Sequence, residues 1–215
     1  MVIVKWHGHA CVEIVGENNY VIVIDPHDGD SIGLKKPDVK ADLVLVTHEH
    51  FDHNAVEIVS KEDTRVLREF HGETSIDDIR VTGLLTYHDK FNGKRRGINT
   101  VYIIEIEGFK IAHLGDLGHI PGEEVMGKLR NIDLIAIPVG GTYTIYPDEA
   151  WSMVEQVNPR NILPIHYWVE GLTLPLHPID DFLMYVKKYR VVRLNTNEFR
   201  LEDYDKAVII PKIRV

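Results

Sequence analysis

The stretch Thr47-His-Glu-His-Phe-Asp-His-Asn54 decides the reading of this chain. It sets three histidines and one aspartate within six consecutive positions, His48 to His53, directly after the apolar run Leu43–Val46. Extended backbone sends side chains two apart to the same side, so His48 and His50 aim at one point. Asp52 and His53 lie where the chain turns into an expected helix, and they aim at a second point nearby. Burying four such groups with no cation would leave donors and acceptors poorly paired, so the run reads as a metal site. The carboxyl end of a buried strand is also where α/β sheets place their ligands.

A histidine pair leaves a zinc-like ion half-coordinated, because three or four protein ligands are usual. Other strand ends supply candidates. His88 closes the run 84–88, Asp116 follows the run 111–115, His166 closes 161–166, and Asp25 ends 21–25.

Composition sets the bounds. The 215 residues suit one compact domain, and 44% hydrophobic content is enough for a sizeable core. A net charge of −9, from 24 basic and 33 acidic residues, repels a phosphate backbone and disfavours nucleic acid as a partner. Cys11 is the only cysteine, so no disulfide can form within the chain, which fits a reducing compartment. No apolar run approaches the length of a membrane span, and residues 1–15 lack the pattern of a signal peptide. The expectation is a cytoplasmic protein.

The first third reads mostly as strands: 2–6, 10–15 and 20–25, with a turn at 16–19, then a buried strand at 41–47. A helix is expected over 54–60 with Asn54 as its cap. Strands follow at 64–69 and 79–88, then a hairpin around Gly108. The second half alternates: helices near 121–131, at 147–157 and at 178–189, strands at 134–139 and 161–167, and a last strand over 207–215. Acids at the start and lysines at the end of 178–189 match a helix dipole.

The run THEHFDH (47–53) resembles the signature of the metallo-β-lactamase superfamily. Further pieces stand in that superfamily's order: IDP at 24–26, His88, GD at 115–116 and PIHY at 164–167. The runs WHGHA, HLGDLGHIPGE, IPVGGTYTIYPDEA and ILPIHYW resemble its single-domain metal-dependent hydrolases, a branch similar to L-ascorbate-6-phosphate lactonase and N-acyl-phosphatidylethanolamine phospholipase D. The resemblance implies a single α/β domain over 1–215, a four-layer αββα sandwich of two mixed sheets with helices outside. It implies two divalent ions. His48, His50 and His88 would hold the first, Asp52, His53 and His166 the second, and Asp116 would bridge them. Asp25 would fix a ligand histidine through a hydrogen bond, and His9 would stand close behind the ligands.

The implied activity is hydrolysis, in which a metal-bridging hydroxide attacks an ester, lactone or phosphodiester of a small, anionic substrate. The ligand set of nitrogens and carboxylates suits Zn²⁺ or Mn²⁺ and is compatible with Fe or Ni. Asp52 and Asp116 are then catalytic as well as ligands. His119 and Tyr143 are candidate proton donors. A basic cluster, Lys90, Lys94, Arg95 and Arg96, follows His88 and is a candidate reader of substrate anions. Cysteine in place of Asp116 typifies the β-lactamases of the superfamily, and glutamate in place of His50 its di-iron flavoproteins, so both chemistries are disfavoured. Two other functions compete: an RNA- or DNA-processing phosphodiesterase, and a non-catalytic metal-binding regulatory protein. Association into a homo-oligomer is expected from the resemblance to the lactonase.

Overall fold

The computed structural model describes residues 1–213 of the chain. Its strands are β1 (Ile3–Trp6), β2 (Val12–Val15), β3 (Val21–Ile24), β4 (Ala41–Val46), β5 (Ser60–Arg68), β6 (Gly72–Ile76), β7 (Ile79–Tyr87), β8 (Ile98–Ile106), β9 (Phe109–His113), β10 (Leu134–Pro138), β11 (Asn161–Ile165), β12 (Arg190–Arg193), β13 (Glu198–Arg200) and β14 (Ala207–Ile210). The helices are α1 (Val56–Val59), α2 (Glu123–Lys128), α3 (Pro147–Val157) and α4 (Ile179–Leu183). Two mixed sheets result, in the orders β13-β1-β2-β3-β4-β5 and β12-β14-β11-β10-β9-β8-β7-β6. This is the expected α/β sandwich.

Alternation along the strands explains why the sheets stack. In β3 and β4, Ile22, Ile24, Leu43 and Leu45 point into the large core shared by both sheets. Their neighbours Val23, Val44 and Val46 point the other way and pack with Val56 and Val59 of α1. Each such side chain removed from water contributes about 1.5–3 kcal/mol, so a one-residue slip of β4 would forfeit both layers. On the second sheet α3 lays down Ala150, Trp151, Met153, Val154 and Val157, all buried. Their three-and-four spacing forms the apolar stripe of a surface helix. Trp151 meets Phe182 of α4 at 6.3 Å between ring centroids.

Three expected helices are shorter than the sequence suggested, and that of 121–131 covers only Glu123–Lys128. The helix of 54–60 is a single turn, α1. Asn54 does not cap it, because its amide donates instead to the backbone oxygen and carboxylate of Glu49. Ser60 Oγ bonds back to the Val56 carbonyl and the chain leaves as strand β5. The helix of 178–189 stops at Leu183. Beyond it Met184 and Tyr185 are exposed, so no buried face rewards another turn, and Tyr189 donates its hydroxyl to the Pro159 carbonyl. Strands β6, β12 and β13 were not foreseen; their largely exposed positions carry little apolar patterning. The last strand covers only Ala207–Ile210 of the expected 207–215, and residues 214–215 lie outside the described residues. No helix among the described residues is long and apolar enough to cross a membrane.

Two pins between the sheets set the position of the loops. Tyr102 of β8 donates its hydroxyl to the Val46 carbonyl at the end of β4 and accepts from Phe70 N. Trp6 stacks on Tyr167 at 5.0 Å, and Trp6 Nε1 donates to the His9 carbonyl, which also accepts from His166 N. The loop after β1 and the end of β11 therefore meet.

Candidate metal centre

Strands β3 and β4 run parallel in one sheet. In the other, β7 and β9 each pair antiparallel with β8 and so share a direction, while β10 and β11 continue it in parallel. Asp25, the run from Thr47 to His53, His88, Asp116 and His166 all follow the carboxyl ends of these strands. The topology delivers them to one edge of the sandwich.

There the side chains converge in two groups. His48, His50 and His88 offer ligand atoms within 4.8 Å of one another, and so do His9, Asp52, His53 and His166. Asp116 lies between the groups. Its Oδ2 is 3.0 Å from His88 Nε2 and 3.1 Å from His166 Nε2, and its Oδ1 is 3.3 Å from His53 Nε2. His50 is partly exposed, while the other members of both groups and Asp116 are buried.

Hydrogen bonds fix which nitrogen of two histidines faces inward. Asp25 is fully buried; its Oδ1 accepts from Thr47 N (2.8 Å) and its Oδ2 from Thr47 Oγ1 (2.7 Å) and His53 Nδ1 (3.1 Å). Because the Thr47 hydroxyl spends its proton on Asp25, it accepts from His48 Nδ1 at 2.9 Å. One carboxylate thus engages Nδ1–H of His53 directly and of His48 through Thr47, directing both Nε2 atoms at the centre.

His48 Nε2, His53 Nε2, His166 Nε2 and Asp116 Oδ1 are buried without a hydrogen-bond partner among the described residues. Each such orphan costs about 1–3 kcal/mol. Imidazole nitrogens and a carboxylate oxygen from separate strands, converging without hydrogen-bond partners, are what a cation satisfies, and the residues present fit metal ions.

The charges respond accordingly. Burial alone would lower the pKa of His53, but Asp116, Asp52 and Asp25 outweigh it and raise it well above the usual imidazole value. Burial opposes ionisation of Asp116 too, and His166, His53 and His88 override it and hold the carboxyl well below its usual range. Asp52 moves down as well, against burial, through His53 and His9. Burial, reinforced by His53, lowers His48, and burial with His166 pushes His9 down to about 3. Neutral His9 places Nε2 at 2.9 Å from Asp52 Oδ2.

Backbone strain gathers here. His9, Asp25 and His166 all adopt left-handed backbone, with φ near +50°. Two glycines let the ligand loops touch. A Cβ on Gly118 would lie 2.3 Å from the His88 carbonyl carbon, and one on Gly140 would lie 2.1 Å from the His166 oxygen.

Other candidates are placed as follows. His119 Nε2 accepts from Tyr87 N and its Nδ1 faces the Ile120 carbonyl, so both nitrogens are engaged by backbone. Tyr143 lies under the Arg96 guanidinium, 4.7 Å from its ring centroid. Lys90 binds Glu149 of α3, Arg95 covers the Phe91 ring at 3.9 Å, and Lys94 is exposed. His27 is buried, with Nε2 on the His7 carbonyl. Asn99 escaped the sequence reading. Its Oδ1 accepts from Asp116 N, and its Nδ2 donates to Thr86 Oγ1 and the Leu114 carbonyl. His113 supports the same turn, with Nε2 donating to the Ala10 carbonyl and Nδ1 accepting from Gly115 N. Asn99 sits in no motif, and only the folded proximity of β8 and β9 marks it, whereas His113 opens the run HLGDLGHIPGE.

Known proteins are similar to this chain. A family profile described as the beta-lactamase superfamily domain matches residues 3–166. A UPF0173 metal-dependent hydrolase of Thermococcus onnurineus is 34% identical over 192 residues, covering 78% of this chain and 85% of that relative. One from Thermoplasma acidophilum is 31% identical, covering 75% and 81%. A crystal structure from Thermotoga maritima, a proposed Zn-dependent hydrolase of the metallo-β-lactamase superfamily, is 33% identical and superposes with a TM-score of 0.78 over 98% of both chains. The match to the family profile, the two archaeal relatives and the shared two-sheet architecture together establish that this chain belongs to the metallo-β-lactamase superfamily and, within it, to the UPF0173 metal-dependent hydrolase family.

Proposed function

We propose that the protein is a hydrolase with a dinuclear metal centre, acting on an ester, lactone or phosphodiester of a small substrate. The observation that supports it best is the set of buried nitrogen and oxygen atoms without hydrogen-bond partners, His48 Nε2, His53 Nε2, His166 Nε2 and Asp116 Oδ1, converging from three separate loops. His48, His50 and His88 would hold one ion, and Asp52, His53 and His166 the other, with Asp116 between. The nitrogen and carboxylate donors suit Zn²⁺ or Mn²⁺. Bound there, such ions supply Lewis-acid polarisation and lower the pKa of water toward neutrality.

The chain's own groups do the rest. Asp25 and Thr47 keep His48 and His53 in the tautomer that presents Nε2. His9 Nε2–H donates to Asp52 Oδ2, which orients the carboxylate. Asp116, held by Asn99, can take the proton released from water and pass it to the leaving oxygen. Of the two candidate donors, Tyr143 keeps an uncommitted hydroxyl among the described residues, whereas His119 is occupied by backbone.

The test is hydrolysis of bis-p-nitrophenyl phosphate and of a lactone panel by protein loaded with Zn²⁺ or Mn²⁺, before and after chelation. Activity that chelation removes and metal restores is expected. Fully loaded protein inert toward every substrate would favour a non-catalytic metal-binding role.

A further inference from the structure

The loop after β7 carries Lys90, Lys94, Arg95 and Arg96 on a chain whose net charge is −9. The fold separates these four cations. Lys90 is neutralised by Glu149 and lies over the Tyr146 ring. Arg95 folds onto Phe91 of its own loop. Arg96 reaches across to Tyr143, on the loop after β10. The nearest acid in the loop, Asp89, is buried, and its carboxylate accepts the backbone N–H groups of Phe91, Gly93, Arg95 and Arg96. Asp89 therefore fixes the loop's shape from below, while Arg96 finds no carboxylate within 4.0 Å among the described residues.

Position matters as much as charge. Asp89 directly follows His88, and Gly118 lies against the backbone of both. The Tyr143 loop is tied on one side to Leu117, next to Asp116, through Ile145 N. On its other side Gly140 packs on the His166 carbonyl. The Arg96–Tyr143 contact thus joins the loop that follows His88 to a loop packed against those of Asp116 and His166. A ring covering one face of a guanidinium leaves its N–H edge open, the geometry that receives a planar or tetrahedral oxyanion.

Resting on the hydrolase reading, we propose that Arg96, seated on Tyr143, reads an anionic group of the substrate, a carboxylate or phosphate set apart from the bond that is cleaved. This narrows the substrate class to esters, lactones or phosphodiesters that carry a second, uncleaved anion. It assigns the recognition to Arg96 rather than to the basic loop as a whole.

Binding separates this proposal from the question of hydrolysis. The probes are benzenesulfonate, an anion that ligates divalent metals weakly, and benzyl alcohol, a neutral molecule with the same ring. Each is titrated by calorimetry or NMR into metal-loaded wild type, Arg96→Gln and Arg130→Gln. The last removes an exposed charge outside these loops and controls for the overall field. The expected result is that Arg96→Gln weakens benzenesulfonate about tenfold, the equivalent of about one lost charged contact. Benzyl alcohol and the Arg130 variant should stay at wild-type levels. Arg96→Lys, which keeps the charge but not the fork, should fall between and serves if the glutamine variant folds poorly. Benzenesulfonate binding wild type no better than benzyl alcohol would overturn the proposal, as would equal loss in the Arg96 and Arg130 variants. Because no turnover is involved, the hydrolase reading stands or falls separately, on the chelation assay.

Discussion

Replacing Asp25 with asparagine tests how the centre is held. The change is nearly isosteric, and asparagine tolerates the left-handed backbone at this position, where φ is 51°, so the side-chain chemistry alone is altered. The carboxylate accepts three hydrogen bonds, from Thr47 N, Thr47 Oγ1 and His53 Nδ1. An amide has one accepting oxygen and must choose. If that oxygen faces Thr47 N, the NH2 group donates toward the Thr47 hydroxyl and His53 Nδ1. His53 then carries its proton on Nε2. The Thr47 hydroxyl turns its proton toward His48 Nδ1, and His48 likewise protonates Nε2. Both ligand nitrogens become donors aimed at a cation. Loss of such a supporting partner costs about 10–100-fold in metal affinity, or about 1.4–2.7 kcal/mol. If the oxygen instead keeps His53 and the Thr47 hydroxyl, the NH2 group opposes Thr47 N, and a buried donor loses its partner at about 1–3 kcal/mol of stability. The assay is competition for Zn²⁺ or Mn²⁺ against a chromophoric chelator, with a thermal melt of the metal-free protein alongside. Asp25→Asn protein that takes up metal with wild-type affinity and melts at the wild-type temperature would falsify the tautomer argument.

Asn99→Leu should leave Asp116 N and the Leu114 carbonyl without partners, lowering stability by about 1–3 kcal/mol for each, as urea denaturation would read, and weakening metal uptake as well. Gly140→Ala should displace His166, because the added methyl meets backbone that cannot swing aside; an unchanged metal stoichiometry in this variant would contradict the close approach. Metal affinity should rise with pH, by about tenfold per unit for each proton displaced, since His53 holds its proton in the metal-free chain and must release it to ligate. Calorimetry in two buffers of different ionisation enthalpy counts that proton. Stability of the metal-free protein should fall as pH drops through the acid range below about 4, because Asp52 and Asp116 have folded-state pKa values below their unfolded ones. Protonated His53 contributes the opposite trend, stability that is present below about pH 6.5 and lost as pH rises through its raised value.

The sequence by itself named the candidate ligands. Short β-branched and apolar runs named β3 as a strand and β4 as a buried one, and the histidines and aspartate packed after Val46 marked a strand end as a site. That information is local, carried by residues a few positions apart. Helix α3 was legible to its last residue for the same reason, since its apolar stripe, starting proline and final Asn-Pro all act within one element. Helices α1 and α4 were not, because their lengths depend on whether another face exists to bury the next turn, and that is set by the sheets.

Tertiary structure alone decided how the ligands are aimed. That Asp25 governs His48 through Thr47, that Asn99 of β8 holds Asp116, and that Arg96 rather than Lys90 stays without a carboxylate all depend on contacts between distant segments. A hydrogen bond forms where donor and acceptor come within about 3 Å, and side-chain chemistry read along the chain carries no record of which residues folding will bring that close.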